Sequence, residues 1–173
     1  MPGTLPVPIG CELPQGWQSA PPDEVGAPNA AFVALHMASR GQGFMPNITV
    51  TGRPLEASAS LRSLADASVA RLRENVGPVE IVKRTEVGTS EVPGLVDPPG
   101  IVQNVRIQAT VNDQPMELAQ SQFLLVLEDK HQQNERGEIE IALTAEFSRL
   151  HEVLEDFQDF LRTVRPAGAA PAA

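Results

Sequence analysis

A chain that carries FSRLHEVLEDFQDFLRTV near its end must also provide an apolar surface for a helix to lie on. Phe147, Leu150, Leu154, Phe157, Leu161 and Val164 fall on one stripe at helical spacing, and Val153 and Phe160 widen it. The other side is acidic, with Glu152, Glu155, Asp156 and Asp159. An amphipathic helix draws its stability from packing that stripe rather than from propensity. The alternating segments upstream are the surface it needs.

Those segments read in order as follows. Val7 to Leu13 is an edge strand, because Pro8 is tolerated only at an edge. Leu13-Pro14-Gln15-Gly16-Trp17 is turn chemistry, after which Trp17 anchors the chain to a core; residues 18–30 read as loop. Ala31 to Met37 and Asn47 to Thr51 alternate and form a hairpin around a turn at Ser39 to Gly43. Residues 57–75 switch to helical period, with Leu61, Leu64, Ala65, Ser68, Val69 and Leu72 on the stripe, Ser58 or Ser60 as cap, and Asn75 and Gly77-Pro78 as the stop.

Val79 to Val87 is a strand with Val79, Ile81 and Val87 on one face and Glu80, Val82 and Arg84 on the other. Ile101 to Val111 alternates most cleanly: Val105, Ile107, Ala109 and Val111 face in, Asn104, Arg106, Gln108 and Thr110 face out. Asn112-Asp113-Gln114-Pro115 turns the chain back into Met116 to Leu127, whose second half is apolar on both faces, as in a central strand. Glu138 to Ala145 is the last strand, with Ile139, Ile141 and Leu143 inward and Glu138 and Glu140 outward. The stretches 88–100 and 128–137 are long loops. The fold class is α+β, an antiparallel sheet of about six to seven strands flanked by helices. One domain covers residues 7–166, between a flexible start at 1–6 and an Ala/Pro tail at 167–173 that has nothing to bury.

Charge narrows the partners. A net charge of −9 and a sequence pI near 4.8 argue against nucleic acid or an anionic membrane, either of which needs a basic patch. The one cysteine, Cys11, cannot form an internal disulfide. The opening residues lack the basic and apolar regions of a secretory signal, and Ile9-Gly10-Cys11 echoes a lipobox only faintly, so a cytoplasmic location is expected.

Chemistry-bearing motifs are few. His36, His131 and His151 have no second His or Cys at ligand spacing, which argues against zinc. Cys11 has no signature of a basic partner. There is no Gly-x-Ser-x-Gly elbow, and Gly41-Gln42-Gly43 is a turn without the Lys-Ser/Thr of a phosphate loop. No catalytic set, metal or cofactor is indicated. Two polar groups remain as candidates for binding a partner. Asn104, Arg106, Gln108, Gln120 and Gln122 on the sheet either line a concave binding surface or form a wetted sheet face. Glu152, Glu155 and Asp159 on the last helix are either a docking stripe or the solvated side of an amphipathic helix.

The motifs Leu13-Pro14-Gln15-Gly16-Trp17, Phe44 to Val50, the VEIVKRTEV strand, Gln120-Ser121-Gln122, Leu143-Thr144-Ala145, Phe157 to Leu161 and Thr163-Val164-Arg165 carry a resemblance. In their order and spacing, over roughly residues 5–166, the chain resembles the Mog1/PsbP-like fold and, within it, the actinobacterial LpqN-type proteins. The resemblance implies a curved antiparallel sheet in α/β/α layering, and a binding or assembly-factor role without a shared catalytic set. The chain departs from lipid-anchored LpqN-type proteins in having no recognisable lipobox. The expected function is a non-enzymatic binding or adaptor protein that engages a protein partner through its sheet face or long loops. The alternative is a small-ligand carrier or an enzyme with a site between sheet and helix.

Overall fold

The computed structural model describes residues 9–25, 27, 29–41, 43–55, 60–87, 100–128 and 136–166. The strands are β1 (Ile9–Gly10), β2 (Trp17–Ala20), β3 (Phe32–His36), β4 (Asn47–Leu55), β5 (Val79–Val87), β6 (Gly100–Val111), β7 (Gln114–Glu128), β8 (Arg136–Glu146) and β9 (Arg165–Pro166). Helix α1 (Leu61–Asn75) lies between β4 and β5, and α2 (Leu150–Thr163) follows β8. Seven strands form one antiparallel sheet in the order β2-β3-β4-β8-β7-β6-β5. Its central strand is β8, beside β7, whose second half is apolar on both faces.

Alternation along each strand divides the core into two layers. On one side Ala34, Ile48, Val50, Phe123, Leu125, Ile139, Ile141, Leu143 and Ala145 pack against Val153, Phe157 and Phe160 of α2 and Val164 just after it. On the other, Val105, Ile107, Ala109 and Leu118 pack against Val69 of α1, and Ile101 and Leu124 against Ala65. This is an α/β/α sandwich. Ser60 caps α1 in a reciprocal box with Ser63: each side chain accepts from the other residue's backbone N–H, at 3.1 and 3.0 Å. Asn112 and Asp113, at φ of 51° and 63°, form the two-residue turn between β6 and β7 that left-handed-tolerant residues allow. Gly77 ends the linker after α1 so close to β6 that a Cβ there would collide with the Gln108 carbonyl oxygen.

Several expectations need correction. Among the described residues the first strand is Ile9–Gly10 and does not run on to Leu13, Val7 and Pro8 lying outside them; it pairs with Arg165–Pro166 in a separate two-stranded ribbon rather than with the main sheet. Trp17–Ala20, read partly as loop, is an edge strand. Trp17 is buried as expected, its Nε1–H donating to Asp156 at 2.9 Å and its ring tilted on His36. In β5 the register shifts between Ile81 and Lys83, which returns Arg84 to the Ile81 side, opposite Gln103, where simple alternation put it on the other. On the expected stripe the fully packed residues are Val153, Phe157, Phe160 and, just past α2, Val164, whereas Leu150, Leu154 and Leu161 are half-buried and Phe147, ahead of α2, is exposed. Glu138 and Glu140, expected to point outward, are buried on the α1 side. His131 and most of the two long loops, like the tail at 167–173, lie outside the described residues.

Candidate partner-binding surface

The even-numbered residues of β6 point to the α2 side of the sheet. Helix α2 packs over the β4–β8–β7 half of that side, so β6 carries polar residues where, among the described residues, no apolar helix face meets it. Asn104 and Arg106 are half-buried there, and Gln108 and Thr110 are exposed. The Arg106 guanidinium lies 4.3 Å from the centre of the Phe147 ring. Phe147 opens the single turn of 3-10 helix that leads into α2 and leaves 42% of its surface in solvent. Arg106 also pairs with the Glu117 carboxylate, whose hydrogen bond raises the guanidinium pKa above its ordinary value. On the neighbouring edge strand, Glu80 stands opposite Arg106, Lys83 stands opposite Asn104, and Val82 is 59% exposed at the register shift. The result is a strip with an aromatic ring under a guanidinium, amide groups along it and an apolar edge. Arginine and aromatic side chains are enriched at protein interfaces for this combination of flat apolar area and fixed donors.

Two of the sheet residues grouped with these in the sequence lie elsewhere. The turn between β6 and β7 holds an even number of residues, so even positions on β6 pair with odd ones on β7. Gln120 and Gln122 therefore face α1, on the opposite side of the sheet from Asn104, Arg106 and Gln108. Gln122 is fully buried. A chain of hydrogen bonds crosses the sheet beneath α1. Arg84 donates to Asp66 at 2.7 Å and to Gln103 Oε1 at 2.9 Å. Gln103 donates to the Ala65 carbonyl at 3.1 Å and to Gln122 Oε1 at 2.5 Å. Gln122 donates to Gln120 Oε1 at 2.5 Å, and Gln120 to Thr144 Oγ1 at 2.8 Å. Each buried amide finds partners within the fold, which accounts for polar residues in an interior layer. Beside this chain, Glu140 accepts from Ser68 at 2.7 Å and from Arg53 at 3.1 Å, with Arg71 at 3.5 Å.

The acidic side of α2 is partly neutralised within the fold. Glu152 accepts from Arg149 at 2.8 Å, Asp159 from Arg162 at 2.6 Å, and Asp156 from the Trp17 indole, while Glu155 is exposed. His36 is half-buried with Nδ1 2.6 Å from Ser39 Oγ, and His151 is exposed. Cys11 is half-buried against the α2-side core. Among the described residues no three His, Cys, Asp or Glu side chains are grouped to hold a metal ion, and no helix is long and apolar enough to cross a membrane. The exposure of Phe147 beside Arg106 is not apparent from the sequence, because its place on the helical stripe reads as core. Its position at the very start of the helix was the available signal.

No family model matches this chain, and no curated protein does. Solved structures do. LpqN of Mycobacterium tuberculosis, involved in cell envelope biogenesis, is similar with a TM-score of 0.64 at 11% identity, over 96% of this chain and 89% of that one. Cyanobacterial PsbP from Synechocystis gives a TM-score of 0.55 at 12% identity, over 91% and 92%. Protein PA94 of Pseudomonas aeruginosa, of unknown function, gives 0.51 at 11% identity, over 94% and 85%. At these identities the likeness speaks for the fold alone. The chain has the Mog1/PsbP-like fold.

Proposed function

We propose that this protein is a non-enzymatic binding or assembly factor that engages a protein partner through the Asn104–Arg106–Gln108 strip and Phe147. The observation that carries the reading is the Arg106–Phe147 stack, an exposed ring held under a guanidinium on a polar sheet face. A monomer gains little stability from leaving much of a phenylalanine in water, whereas a partner that covers it buries the remaining exposed apolar area. The structural neighbours, an envelope-biogenesis protein and a PsbP among them, are compatible with a binding role. The alternative of a ligand between sheet and helix has against it that this layer is crossed by the Gln103–Gln122–Gln120 chain.

Affinity capture from the native cell, at low and then raised salt, tests the proposal. Wild-type protein is expected to retain a stoichiometric partner that R106E and F147S lose and that E155K retains. Equal capture by wild type and both strip variants would refute it.

A further inference from the structure

Of the two carboxylates that the described residues bury, Glu138 and Glu140, the packing leaves Glu138 incompletely served. It is 2% exposed, and its Oε1 has no hydrogen-bond partner among the described residues. Arg53 is its register partner on β4. Yet the Arg53 guanidinium reaches past it to Glu140, two positions along the same face, and Arg71 from α1 goes to Glu140 as well. Glu140 also receives the Ser68 hydroxyl. It thus fastens α1 to β8 with every donor that Glu138 lacks. The charged groups that face Glu138 among the described side chains are Arg53 from β4, Arg71 from α1 and Glu140 on its own strand. From β7 the same-face neighbour is Val126, which offers no donor.

We infer that Glu138 is a proton-operated latch for α1. While it carries its proton it leaves Arg53 and Arg71 to Glu140. When the proton passes to solvent, a second carboxylate competes for Arg53 and loosens the attachment of α1 at Ser68 and Arg71. No other bond is made or broken. Burial raises the Glu138 pKa above the ordinary 4.5, and the neighbouring Glu140 charge adds to the rise while Arg53 and Arg71 oppose it. Two carboxylates that share the same cations cannot both be served by them, so the charge state of one decides the hydrogen bonding of the other. The buried position is what makes the competition costly, since an ionised oxygen with no donor is the state a low-dielectric site resists most.

The test is a carboxyl and amide NMR titration of the full chain. Glu138 is expected to titrate above the range of the exposed glutamates, with the Ser68 and Val69 amides moving at the same midpoint. Those amide shifts are expected to vanish in E138Q. Arg53 is 32% exposed, and in R53Q Glu140 still has Ser68 and Arg71 as partners, so a folded variant is expected and is checked by its amide spectrum. The substitution removes the cation that Glu138 would draw off, and is expected to raise the Glu138 midpoint further while abolishing the α1 response. An ordinary Glu138 midpoint, α1 amides that do not follow it, an unchanged response in E138Q, or a lowered midpoint in R53Q would each overturn the inference.

Discussion

Phe147→Ala separates a binding surface from a core anchor. Phe160 is fully buried under the sheet and stacks on Phe32 with ring centres 6.4 Å apart, so Phe160→Ala should cost about 3–5 kcal/mol through lost transfer energy and a cavity. Phe147 keeps 42% of its surface in water, so truncation forfeits only part of the roughly 1.5–3 kcal/mol of a fully buried ring and leaves no closed cavity. The expected cost is about 1 kcal/mol. Trp17, the single tryptophan, is buried against α2 and reports global unfolding by its fluorescence. Urea titrations of wild type, F147A and F160A, followed through Trp17, should show equal slopes and midpoints falling by unequal amounts. F147A should fold nearly as well as wild type and still fail to retain the partner. A midpoint drop for F147A as large as that for F160A would show that Phe147 is structural, and the surface reading would go with it.

Other expected outcomes rest on single contacts. Because Glu138 holds its proton more tightly folded than unfolded, its contribution is fully present below the unfolded value of 4.5 and is lost as pH rises through the folded one; E138Q should remove that slope and gain about 1 kcal/mol at neutral pH, read by urea titration at several pH values. Ser60→Ala removes one half of the capping box and should cost about 0.5–2 kcal/mol, with hydrogen exchange accelerating first at the start of α1. Gly77→Ala drives a methyl group into the Gln108 carbonyl and should cost about 1–3 kcal/mol in a thermal melt, although Ala would favour most loop positions.

Much of the fold is written locally. The period-two alternation of β6, the two-sided apolar run Phe123 to Leu127 and the helical stripe of α2 place three layers without any distant information. What alternation cannot supply is who covers a face. The sequence Glu138-Ile139-Glu140-Ile141 reads as a wetted strand, yet Ser68, Arg71 and Arg53 come from far along the chain to cover and pair the acidic side. Phe147 sits on an apolar stripe but in the 3-10 turn ahead of α2, where it stays exposed, so periodicity overstates its burial. The separation of Gln120 and Gln122 from Asn104, Arg106 and Gln108 was legible, because an even-numbered turn always pairs unlike parities. The short β1–β9 ribbon was not: two residues at each end carry no pattern, and their pairing depends on where the rest of the chain brings them.

A photo-crosslinking residue placed at Gln108, on the exposed strip, and separately at Glu155, on the outer side of α2, tests the central claim inside the native cell. The account predicts a discrete adduct with one protein from position 108 and none from position 155. An adduct from 155 with nothing from 108 would place the partner on the acidic helix and contradict the strip as the binding surface.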